Sequence, residues 1–171
     1  MACRGHYTAL LPEEAFTLLH LTGVDRRLEF LDSLFISAEA DGRILLVDKS
    51  WDAMHRILCD GWLDAQHGDV ARRACLIGGQ QPSTRPDWIV SYVEPALVKT
   101  VVVAIEGISR DWFRTQYFSL NRIPPGFWVH RYEIELSELD FEYTWHYFRE
   151  VRRFYAMAAN RGFATVFLVD Q

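Results

Sequence analysis

The closing stretch "SELDFEYTWHYFREVRRFYAMAANRGFATVFLV", residues 137–169, limits most strongly what this chain can fold into. Phe141, Trp145, Phe148, Val151 and Tyr155 recur at intervals of three and four, so they form one apolar stripe along a helix. Ser137 with Asp140 three residues on resembles a capping box, the shorter acid standing in for Glu. Gly162 ends the helix, and "FATVFLV" follows as a buried strand. A long one-sided helix delivered straight into an apolar strand calls for a sheet covered by helices.

The rest of the chain agrees with that plan. "HYTALLPEEAFTLLHLTG" reads as a short strand and then a helix, with Pro12, Glu13 and Glu14 in its first turn. "VDRRLEFLDSLFIS" resumes a helix with Leu28, Leu31 and Phe35 at helical spacing. "RILLV" is a buried strand, and the helix after it starts at Asp48 or Ser50, either of which can cap free N–H groups. "DGWLDAQHGDVARR" reads as a polar loop, and Gly78-Gly79 as a turn signal. "WIVSYV" is a strand. Residues 94–107 carry two signals: a β-branched run for a strand, and Pro95 with Val98, Val101, Val102 and Ile105 for a helix. Ser109 caps "RDWFRTQYFSL", and "PPGFWVHRYEIEL" is a turn and an extended stretch. With no repeat, linker or low-complexity tract, residues 1–171 read as a single domain.

Half the residues are hydrophobic and 14% aromatic, enough for an interior that needs no metal or disulfide staple. Cys3, Cys59 and Cys75 are an odd number without a close pair, which reads as reduced thiols in a cytoplasm. The opening "MACRGHYTALLPEE" lacks the apolar region of a secretory signal, and the longest apolar runs are too short for a bilayer. The expectation is a cytoplasmic chain with no membrane partner. A net charge of -5 repels phosphate backbones, so nucleic acid is disfavoured and a charged partner is expected to be basic.

"LLVDKSWDAMHRILCDGW", residues 45–62, looks most like chemistry. Trp51, Met54, His55 and Leu58 fall on one helix face, with Asp52 and Arg56 as an i,i+4 pair on the wetter side. His55 can be a core residue bonded to a carbonyl, or a general base with Asp48 beside it. His55, Cys59, His67 and Cys75 could in principle compose a zinc set, but their spacing matches no familiar pattern, and no metal or other cofactor is assigned. Trp88 and Tyr92 share one side of a strand and could line an aromatic pocket with Trp51, Trp62 or Trp128. Glu133, Glu135, Glu138, Asp140 and Glu142 crowd a helix start, where the dipole explains them more simply than paired-carboxylate chemistry does. His146, Arg149 and Arg153 share a polar face that could receive an anion. There is no P-loop, GxGxxG, GxSxG or HExxH pattern.

Together these motifs resemble the YfbM-like family of bacterial domains of unknown function. "GHYTALLPEEAFTLL" resembles its opening strand and helix, and Asp48, Lys49, Trp51, His55 and Leu58 carry its most specific pattern. Cys59-Asp60 depart from it, since Thr-Gly is more usual there. "CLIGGQ", "SYVEPALVKTVVVAI" and "YFREVRRFYAMAANRGFATVFLV" extend the likeness over nearly the whole chain, although Pro95 follows Glu94 rather than preceding an acid. The resemblance implies an α/β (α+β) fold with a mixed β-sheet between helical layers, and it tips residues 94–107 toward helix. It carries no catalytic residues.

The leading expectation is a non-enzymatic protein-binding module, in one version an immunity-type protein that covers a basic toxin. The rival is an enzyme acting on a small molecule. Its pocket lies between the Asp48–His55 helix and the Trp88–Tyr92 strand, with His55 moving the proton and Asp48 or Lys49 orienting it or stabilising charge. A small-molecule sensor is the third reading.

Overall fold

The computed structural model describes residues 4–82, 88–120 and 136–170. Cys3, Trp128, Glu133, Glu135 and nearly all of the "PPGFWVHRYEIEL" stretch lie outside the described residues. The element order is β1 (Gly5–Leu10), α1 (Pro12–His20), α2 (Val24–Ala40), β2 (Ile44–Asp48), α3 (Ser50–Leu58), α4 (Val70–Ala74), β3 (Trp88–Val93), α5 (Pro95–Glu106), α6 (Arg110–Tyr117), α7 (Glu138–Arg161) and β4 (Ala164–Asp170).

The strands form one sheet in the order β2-β1-β4-β3. Alternation along each strand divides the core in two. Tyr7, Ala9, Val93, Phe167 and Val169 join the larger cluster with α3, α5, α6 and α7. Leu10, Val90, Tyr92, Val166 and Leu168 pack with Ala15 and Leu18 of α1 and with Leu28 and Leu31 of α2. The expected α/β class, a sheet between helical layers, is therefore what forms. In place of the mixed sheet that the resemblance implied, all three pairings are antiparallel. Two helices separate β1 from β2, rather than the single crossover helix usual between parallel neighbours.

Local chemistry explains most of the boundaries. The Ser137 hydroxyl accepts from the Asp140 N–H (3.1 Å) and donates to the Asp140 carboxylate (2.8 Å), opening α7. Gly162, at φ 68°, closes it in the left-handed region. Residues 95–106 are helical: Pro95 sits in the first turn, and Val98, Val101 and Ile105 bury one stripe that outweighs the β-branched preference. The expected loop before Cys75 contains α4, because Asp69 accepts from the Ala71 and Arg72 N–H groups as its cap. Two buried phenols, Tyr7 and Tyr155, donate to the Cys75 carbonyl at 2.9 and 3.0 Å and tie that helix end to β1 and α7.

Gly78 and Gly79 are needed for proximity. A Cβ on Gly79 would lie 2.4 Å from the Tyr92 carbonyl oxygen and 2.7 Å from Ser91 Oγ, the atom that accepts the Gly79 N–H at 2.9 Å. One on Gly78 would lie 2.7 Å from the Arg73 carbonyl carbon. Gly79→Ala must push this segment off β3 and break the bridge from Gln80 to Tyr92. The expected loss is about 2 kcal/mol, the usual scale of forced overpacking, read as a lower urea midpoint at unchanged m-value.

No helix among the described residues is long and apolar enough to cross a membrane.

Candidate functional site

The 45–62 box splits into an inward and an outward half. On the inward side, Trp51 is 5% exposed and packs against Phe167, with ring centroids 6.2 Å apart. Gly5 makes room for both rings, since a Cβ there would meet Phe167 at 2.9 Å and Trp51 at 3.0 Å. His55 is completely buried. Its Nε2 lies 2.8 Å from the Asp64 carbonyl oxygen, and because a carbonyl only accepts, Nε2 carries the proton. Nδ1 faces Cys59 Sγ at 4.0 Å. Burial, outweighing the help of that carbonyl, lowers the imidazole pKa to about 4. His55 thereby anchors the loop after α3. Asp64 gathers the same loop by accepting from the Gln66 and His67 N–H groups, and His67 stacks on Trp62 at 3.9 Å. Arg56, expected on the wetter side, is instead buried, because the expected i,i+4 pair with Asp52 at 2.5 Å holds its charge there.

The outward half starts at Asp48, whose φ of 47° puts a non-glycine residue in the left-handed region. Neither Asp48 nor Ser50 caps α3. The Ser50 hydroxyl donates back to the Val47 carbonyl (2.6 Å), while Asp48 Oδ2 accepts from the Tyr143 phenol (2.9 Å). Arg4 approaches the other carboxylate oxygen at 3.4 Å, and Lys49 is exposed. Burial first, and then the Asp48 carboxylate, push the Tyr143 pKa up. The two candidate catalytic groups, Asp48 and His55, thus turn to different partners.

Nor are the candidate binding residues brought to one pocket. Trp51 and Trp62 pack with the larger cluster, whereas Trp88 and Tyr92 pack on the other side of the sheet. Lys49 at the surface joins neither group. No group of three or more metal-ligating side chains occurs among the described residues. Burial pushes the Cys59 thiol up to about 12 and raises that of Cys75 as well. The described acids at the start of α7 are engaged: Glu138 pairs with Arg114 and Glu142 with Arg110, fastening α6 to α7. Arg149 and Arg153, together with Arg152, line a cavity of about 340 Å³ between α5 and α7; His146 is exposed outside that lining.

One surface was missed in the sequence reading. Asp25, Glu29, Asp32, Ile36 and Glu39 recur at intervals of three and four along α2, and all are exposed. Ile36 is 79% exposed within this acidic row, and Phe16 on α1 is 63% exposed and stacked on His20 at 4.0 Å. The spacing was legible. An acidic helix face by itself ordinarily means only solvent.

A family model described as a domain of unknown function (DUF1877) matches residues 1–168, and the chain belongs to that family. The crystal structure of YfbM from Escherichia coli, a protein of unknown function, has the same fold. It aligns with a TM-score of 0.63 at 20% identity, covering 97% of this chain and 99% of that one. The resemblance to the YfbM-like family, carried by motifs over nearly the whole chain, is thereby borne out. Among curated proteins, none matches.

Proposed function

We propose, starting from membership of a family defined by sequence and fold, that this domain is a non-enzymatic module that binds a basic protein through the outer face of α1 and α2. The acidic row of α2 with Ile36 exposed inside it is the observation that carries this reading. Large apolar side chains exposed among charges suit an interface in which anchors fill a pocket and a polar rim sets the orientation. The net charge of -5 would speed encounter with a basic partner. A basic toxin that attacks nucleic acid, neutralised by being covered, is one concrete form of such a partner. Buried, unpaired Cys59 and Cys75 accord with the cytoplasmic setting this assumes.

The enzyme reading has less support. It asks His55 to move protons near neutral pH, while the ring is enclosed, bonded at Nε2 and lowered to about 4. It also asks for a pocket around Asp48, Trp51 and His55, and the indole there is packed against Phe167.

The test is affinity capture at native salt with the wild-type chain, Glu29→Lys/Asp32→Lys and Phe16→Ala/Ile36→Ala. A stoichiometric basic partner is expected on the wild type. Each double variant should weaken it at least about tenfold, with the charge reversals acting through the association rate. A partner held equally by all three chains, or no stoichiometric partner, defeats the proposal.

A further inference from the structure

On the opposite side of the sheet from α1 and α2, three arginines gather at one cavity. It is bounded by α5 and α7, and its volume of about 340 Å³ lies within the range of small-ligand sites. Arg149, Arg152 and Arg153 line it against a single lining carboxylate, Glu106. Val102 and Ile105 line it from α5 and Ala156 from α7 beside the arginines, so the lining offers both apolar and cationic contacts.

The arginines have separate duties. Arg152 donates to the Glu106 carbonyl at 2.6 Å and the Ile108 carbonyl at 3.3 Å, which satisfies the C-terminal end of α5 and fixes the guanidinium at the cavity. Arg153 is paired with Glu150 at 2.5 Å. Arg149 has no ion-pair partner among the described residues. Of the three, only Arg153 has an ion-pair partner among the described residues, Glu150, so a bound anion would supply the countercharge that Arg149 lacks. Guanidinium groups also match the planar oxygens of carboxylate and phosphate groups.

We propose that the groove between α5 and α7 binds a small amphipathic anion, its carboxylate or phosphate on Arg149 and Arg153 and its short hydrocarbon chain against Val102, Ile105 and Ala156. The site is independent of the protein-binding face and can hold or fail without it.

Calorimetry of the full chain with acetate, octanoate and octyl phosphate at low ionic strength tests this. Saturable one-to-one binding of at least one eight-carbon anion is expected. Octanoate should exceed acetate at least about tenfold, because burying even two of the extra methylenes gives that factor. Whichever eight-carbon ligand binds more tightly identifies the head group. Arg149→Gln/Arg153→Gln should lower affinity about tenfold or more through lost charge-assisted hydrogen bonds, at an unchanged melting temperature without ligand. Ala156→Leu, which narrows the cavity and leaves every guanidinium in place, should erase the advantage of octanoate over acetate. The proposal is overturned if acetate and octanoate bind alike, if neither eight-carbon ligand binds at millimolar concentration, or if the arginine variant binds like the wild type.

Discussion

Glu14→Ala is expected to cost about 3–5 kcal/mol of folding stability, the scale of stranding one half of a buried ion pair. Arg43, from just before β2, is 3% exposed. Its guanidinium donates to both Glu14 carboxylate oxygens, at 2.8 and 3.2 Å, and to the Ala9 carbonyl at 2.8 Å. Its remaining acid, Asp41, is 60% exposed and 3.3 Å away. Glu14 also accepts the Leu11 N–H at 2.8 Å, so one carboxylate serves the start of α1 and the charge beneath it. With alanine there, the guanidinium stays enclosed with one carbonyl and a solvent-screened partner. Glu13→Ala, an exposed neighbour, should change stability by less than about 0.5 kcal/mol. Replacing both partners, as Glu14→Leu/Arg43→Met, should recover most of the loss, since the cost comes from the orphaned charge. Urea unfolding of the four proteins decides it, and a loss below about 1 kcal/mol for Glu14→Ala would refute the argument.

That ion pair also shows where sequence reading ends. Glu14 is legible as an acid in a first turn, but nothing local announces a guanidinium arriving 29 residues later. α7 was legible end to end because its stripe, its Ser137 cap and its Gly162 stop are local signals that agree. Residues 95–106 carried opposed local signals, and the burial of Val98, Val101 and Ile105 decided between them. Asp48 and Ser50 both have cap chemistry, yet Asp48 went to Tyr143, 95 residues away, and Ser50 to the Val47 carbonyl. The glycine pair looked like a turn because Gly is usually read through φ, whereas at Gly79 the demand is room beside Tyr92. At the site, helical spacing placed His55 on the apolar stripe. Which side of the sheet Trp88 would share, and with whom, depended on topology that no single segment encodes.

Acidification should destabilise the protein through His55 by about 3 kcal/mol between pH 7 and pH 4, with about 2 kcal/mol of that gone by pH 5. The folded imidazole has a pKa of about 4, against 6.5 for a free one. A lowered folded value means the unfolded chain binds the proton more tightly, so protons favour unfolding. This contribution is intact above pH 6.5 and drains away as the pH falls toward 4. His55→Gln isolates the effect, because a glutamine amide can still donate to the Asp64 carbonyl and does not titrate. His20 and His67 are exposed and remain in both proteins, so they cancel in the difference. The variant should be less stable than wild type at neutral pH, by the packing lost with the ring, and the gap should close or reverse by pH 5. A gap independent of pH would mean that the ring reaches water and charges freely in the native protein. The enclosure that makes protonation costly for the fold is the same one that withholds this histidine from proton transfer near neutrality.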